Sequence, residues 1–134
     1  MEIKVRAAQA SADEMVRQAE CYFAAVDRGD IAATLEVLSL DCVIQVLTDG
    51  ALHDGREAIG EMFKRRLGGV SVAWHGNFKH LCDSDKGWVT TRFDVRRTNA
   101  DGAKVEMDNI NFFEFDGLLI KRITIWMSGE NTLV

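Results

Sequence analysis

Apolar positions recur at helical spacing between residues 11 and 67, and from residue 70 onward they alternate one by one. Ser11-Ala12-Asp13-Glu14 has the form of a capping box, with Ser11 as cap and Glu14 reaching back. The helix it opens places Met15, Ala19, Tyr22, Phe23 and Val26 on one stripe. Arg28-Gly29 stops that helix, and Asp30 caps a second, short one bearing Ile31, Leu35 and Leu38. Residues 42–47 read as a short apolar strand, turned by Thr48-Asp49-Gly50. Asp54, with Glu57 following, starts a third helix over Ile59, Met62 and Phe63, which Leu67-Gly68-Gly69 ends. Four long strands are predicted over 70–82, 86–98, 104–115 and 118–127. Their turns are Asp83-Ser84-Asp85, a segment 99–102, and Asp116-Gly117. Helices first and a meander after predict an α+β fold, with helices packed on one face of a curved antiparallel sheet. Residues 1–10 read as a flexible N-terminal arm and 11–134 as one domain.

The hairpin around Asp101-Gly102 carries the most chemistry. A two- or a four-residue loop sets Arg92 opposite Asn111 and Asp94 opposite Asn109. These four then share one face, and Phe93, Val95, Ile110 and Phe112 share the other. A face of Arg, Asp and two Asn is either wet surface or the floor of a pocket.

Composition narrows the function classes. The chain has 134 residues, 47% hydrophobic and 28% charged, which suits one domain with a single core. A net charge of -5 argues against a nucleic-acid partner, which would need a basic stripe. Lys64-Arg65-Arg66 is the single basic cluster and reads as cations suiting a helix C-terminus. Cys21, Cys42 and Cys82 are odd in number and match no metal or redox spacing, so they read as free thiols in a reducing compartment. The N-terminal residues lack an apolar signal core and no run is long enough to span a bilayer, so a soluble cytoplasmic protein is expected.

Of the histidines, His53 precedes a helix and reads as exposed. His75 and His80 lie five apart on a strand, which predicts opposite faces and no metal site. His75, beside Trp74, is a candidate acid/base group of a pocket. Trp74, Trp88, Phe113, Phe115 and Trp126 read as core or pocket wall, fitting an apolar ligand.

Several short motifs occur in a telling order. They are Tyr22-Phe23-Ala24-Ala25-Val26-Asp27-Arg28-Gly29-Asp30, Leu40-Asp41-Cys42-Val43-Ile44, Gly55-Arg56-Glu57-Ala58-Ile59, Asn111-Phe112-Phe113-Glu114-Phe115-Asp116-Gly117 and Gly129-Glu130-Asn131. With these the chain resembles the nuclear transport factor 2-like (SnoaL-like) superfamily, in a layout closest to ketosteroid isomerase. The resemblance implies a cone: three N-terminal helices on a strongly curved antiparallel or mixed sheet around a pocket. It implies an oxyanion tyrosine at Tyr22 and a second oxyanion donor at Asn111. The isomerase base falls on Val46, which cannot accept a proton, so standard ketosteroid isomerisation is not implied. Arg92-Phe93-Asp94 also resembles the Arg-x-Asp of limonene epoxide hydrolase, without that enzyme's last-strand carboxylate.

Two function classes follow. One is a small cofactor-independent enzyme acting on an apolar carbonyl or epoxide metabolite, cyclic or open-chain. Its catalytic residues would be Asp94, Arg92, Tyr22 and Asn111, with Asn109, Trp126, Trp88, Phe113, Val46 and His75 binding the ligand. The other is a non-catalytic ligand-binding or dimerising module. In either case the convex apolar sheet face is expected to pair two copies as a homodimer.

Overall fold

The computed structural model describes residues 9–134, so most of the expected N-terminal arm lies outside the described residues. Ala10, at its end, is buried against the core. Three helices follow as expected: α1 (Ala12–Asp27), α2 (Ile31–Glu36) and α3 (Arg56–Gly69). The capping box forms, with Ser11 Oγ accepting from Glu14 N and Glu14 Oε1 accepting from Ser11 N. Asp30 caps α2 through Ala33 N. Helix α3 starts one residue later than Asp54 suggested. Gly55 is its N-cap, at φ 97, because the chain leaves a strand there with Gly55 N bonded to Cys42 O at 2.8 Å.

Six strands form one sheet: β1 (Leu38–Val46), β2 (Ala51–Asp54), β3 (Val70–Asp83), β4 (Trp88–Asn99), β5 (Lys104–Asp116) and β6 (Leu119–Trp126), in the order β2-β1-β6-β5-β4-β3. The β1–β6 pair is parallel and the others antiparallel, which makes the sheet mixed. Leu38, expected on α2, instead opens β1 with its side chain fully buried. Strand β2 was too short to show a period. The core lies between helices and sheet, where Phe23 packs on Phe93 at 4.6 Å and on Phe78 at 4.9 Å.

The β4–β5 register differs from the expected one by a single residue. Asn99 pairs with Ala103, so the loop is Ala100-Asp101-Gly102, three residues, with Gly102 at φ 87 in the left-handed region. An odd loop sets Thr91 opposite Asn111, Phe93 opposite Asn109, Arg92 opposite Ile110 and Asp94 opposite Asp108. A one-residue slip moves a whole side-chain set to the other face. Thr91, Phe93, Val95, Arg97, Asn109 and Asn111 therefore point into the fold, and Arg92, Asp94, Asp108 and Ile110 point out.

A second irregularity lies in β3. Gly76 pairs with Asp94 and Lys79 with Arg92, so Asn77 and Phe78 together oppose Phe93. This is a bulge, with Asn77 at φ 53. The extra residue cancels one alternation. His75 and His80, expected on opposite faces, both point inward, opposite Val95 and Thr91. His53 is also buried, contrary to expectation, because the C-terminal tail covers it: its Nε2 lies 2.8 Å from Leu133 O. All three cysteines are free thiols, Cys42 buried and the other two exposed. No helix among the described residues is long and apolar enough to cross a membrane.

Candidate active site

The concave side of the sheet presents Phe93, Val95, Arg97, Met107, Asn109, Asn111 and Ile125 to one interior space. Helix α1 roofs it with Tyr22, Phe23 and Val26, and α3 contributes Arg66 from its last turn. Thr132 and Leu133 of the tail close the remaining side. The enclosed free volume is about 30 Å³, room for one or two water molecules.

His75 is the titratable group best placed for chemistry. Its backbone N–H donates to Asp27 Oδ2 at 2.9 Å, and its ring Nδ1 meets Asp27 Oδ1 at 2.5 Å. A carboxylate only accepts, so Nδ1 carries the proton and, in the neutral ring, Nε2 is left with a lone pair. Both side chains are mostly buried, and the ring rests against Phe23 and Phe93 at 5.3 and 5.6 Å. Asp27 is the last residue of α1, so the helix end delivers the carboxylate to the sheet.

Several polar groups around this space, donors and acceptors alike, are short of partners. Tyr22 is buried, edge-on to Phe23, Phe63 and Phe113, and burial pushes its hydroxyl well above the ordinary value. Asn111 Oδ1 is buried with no hydrogen-bond partner. Asn109 Oδ1 accepts from Ser128 N at 3.2 Å. Arg66 and Arg97 are 8% and 4% exposed, and Arg66 Nε and Arg97 Nη2 are both unpartnered. Burial and Arg97 lower the pKa of Arg66 while Tyr22 and Asp27 favour its charge, and a guanidinium stays protonated throughout.

Thus the structure brings together Tyr22, Asn109, Asn111 and His75 among the residues singled out by sequence. Phe113 backs Tyr22 from the core, and Val46 is fully buried in β1. The remaining four lie on the outer face. Trp88 and Trp126 are partly exposed there. Arg92 donates to both oxygens of Asp108, at 3.0 and 2.6 Å, and holds that carboxyl below its usual range. Asp94 accepts from Asn77 Nδ2 at 2.8 Å. Sequence reading missed Asp27, Arg66 and Arg97 as site residues. Arg97 was findable, since it alternates with Phe93 and Val95. Arg66 looked like any cation at a helix end, and Asp27 like part of a turn.

Among the described residues, no group of three or more His, Cys, Asp or Glu side chains is placed to hold a metal ion. Against protein-family models, residues 19–123 match the SnoaL-like domain. The chain belongs to the SnoaL-like domain family. No curated protein matches it. The SnoaL-like domain superposes on solved structures of low identity, which share its fold. One is a candidate polyketide cyclase from Xanthomonas campestris pv. campestris, 20% identical, TM-score 0.77, covering 85% of this chain and 90% of that one. Another is a candidate isomerase from Bacillus subtilis, 13% identical, TM-score 0.78, covering 87% of each chain. A third is AusH from Aspergillus nidulans, 12% identical, TM-score 0.77, covering 92% and 90%. In this SnoaL-like domain the polar groups facing the interior come from α1, α3, β3, β4 and β5, so every layer of the fold contributes to the site.

Proposed function

We propose that this SnoaL-like domain is a cofactor-independent acid/base enzyme acting on a small apolar carbonyl compound. His75 is the proton-moving residue, taking a proton α to the carbonyl at Nε2. Asp27 is its positioning residue, fixing the tautomer and the ring plane. Tyr22 and Asn111 donate to the oxygen on which negative charge develops. The observation that supports this most is the His75–Asp27 pair opening on an interior whose polar groups lack partners. The candidate cyclase and isomerase among the similar structures are consistent with such chemistry.

The test is exchange of α-protons for deuterium in a panel of small aryl ketones, followed by NMR with the wild-type protein and His75→Asn. Exchange in the wild type that falls by about 10²-fold or more in the variant supports the reading. Exchange that survives in His75→Asn, or none with any ketone, sinks it.

The alternative is a non-catalytic ligand-binding module, favoured by the inert Val46 where the isomerase base would stand. It predicts saturable binding of the same ketones without exchange. Separately, we propose that two copies pair through the outer sheet face. Trp88, Ile110, Phe112 and Trp126 form an apolar surface there, 38% to 43% exposed at both tryptophans and Ile110. Sedimentation showing only monomer at micromolar concentration would refute the pairing. The three free thiols support a reducing cytoplasm as the compartment.

A further inference from the structure

Two buried guanidinium groups at one end of the cone form no ion pair: Asp27 favours the charge of Arg66 and Glu130 that of Arg97, but neither carboxylate touches its arginine. Arg97 on β4 is fixed by Asn99 Oδ1 at 3.0 Å from Nε and by Glu130 O at 3.1 Å from Nη1, while Nη2 points to nothing. Arg66 on α3 has no partner at Nε. Among the described residues no carboxylate forms an ion pair with either group. Both arginines line the enclosed interior and also an open cleft of about 450 Å³ outside it. They therefore stand in the wall between solvent and the apolar inside. Arg65, the neighbouring cation, is already engaged with Val134 O at 3.1 Å.

We propose that Arg66 and Arg97 form a binding site for the carboxylate of a small apolar acid, whose hydrocarbon part reaches toward the interior. Arg97 at Nη2 and Arg66 at Nε offer unused N–H groups to the two oxygens of a carboxylate. A phosphate is the poorer fit. It carries more charge, and Glu130 and Asp101 line the same cleft and would repel a dianion. The walls beyond the arginines are Phe93, Val95 and Met107, apolar but with only about 30 Å³ free between them, so the hydrocarbon part enters as Leu133 of the tail gives way. This inference deepens the enzyme reading by naming the substrate class, since it places the acid group at the mouth of the same space. It also holds for the binding module, because it uses no catalytic step.

The experiment measures thermal shift and calorimetric affinity of the full chain with three probes: benzoate, neutral benzamide and inorganic phosphate. Benzoate alone is expected to raise the melting temperature. Arg97→Gln and Arg66→Gln should each weaken benzoate about tenfold or more, as expected for loss of a charge-assisted hydrogen bond. If Arg66→Gln does not fold, arginine Nε resonances of the wild-type protein still report the site: they should shift with benzoate and not with benzamide. Equal effects of benzamide, a stronger effect of phosphate, or unchanged affinity in Arg97→Gln overturns the proposal. Benzoate binding by the wild-type protein without exchange of any ketone would sink the enzyme reading and leave the site standing, whereas ketone exchange without benzoate binding would do the reverse.

Discussion

His75 and Asp27 meet where the end of α1 abuts β3, through two contacts to one carboxylate: the backbone N–H at 2.9 Å and ring Nδ1 at 2.5 Å. One acidic side chain thus fixes both the strand position and the ring plane of the interior histidine. Asp27→Asn keeps the shape, but its neutral amide oxygen is a weaker acceptor and its NH₂ cannot accept at all. The variant is expected to lose about 1–3 kcal/mol of stability by urea titration. It should also slow proton exchange in the ketone panel, because the ring of His75 loses the charged group that fixes its plane.

Leu133 is the tail residue whose backbone oxygen meets His53 at 2.8 Å, and its side chain is buried over the interior. With only about 30 Å³ free behind it, a substrate enters only where the tail shifts. Leu133→Ala should cost about 2 kcal/mol and increase binding of an apolar fluorescent dye. Dye binding equal to the wild type would show that the tail is not what closes the site.

Arg92 and Asp94 stand on the outer face, so they take no part in interior chemistry. Arg92→Gln and Asp94→Asn should each leave ketone exchange within about twofold of wild type, the usual range for surface changes. A loss of an order of magnitude in either would return the outer face to consideration as the site.

Gly102 closes the hairpin at φ 87, and a Cβ there would meet nothing within 4 Å. Only backbone strain then opposes a side chain. Gly102→Ala is expected to lower stability by about 1–2 kcal/mol in urea, the cost of a left-handed conformation for an L-residue.

Alkaline solution should weaken the fold through Cys42 and Tyr22. Burial pushes the Cys42 thiol up from 9.0 to about 12 and also raises the Tyr22 hydroxyl. The unfolded chain releases these protons nearer their ordinary values, so it is the state favoured as pH rises. The stabilising contribution of Cys42 is complete below about pH 9 and is lost progressively toward about 12. The urea midpoint should fall between about pH 8 and pH 10.5, and Cys42→Ala should make that fall shallower.

Apart from strand β2 and the cap of α3, the order of helices and strands, the helix caps and the SnoaL-like cone were legible in the sequence. Local periodicity and capping chemistry depend on neighbours within one turn or one pleat, as at Ser11, Asp30 and the Met15 to Val26 stripe. Alternation also showed which residues of a single strand share a face. It did not show which face is the inside, because that depends on pairing between strands. The segment from Asn99 to Ala103 is compatible with two, three or four loop residues, and only the three-residue form sends Asn109 and Asn111 inward and Arg92 and Asp94 outward. The bulge at Asn77 likewise put His75 and His80 on one side. The candidate chemistry rests on pairings far apart in the chain: Asp27 with His75, and Arg66 beside Arg97. No local signal encodes such pairs. They exist because the packing of α1 and α3 on a curved sheet brings together side chains that lie far apart in the chain.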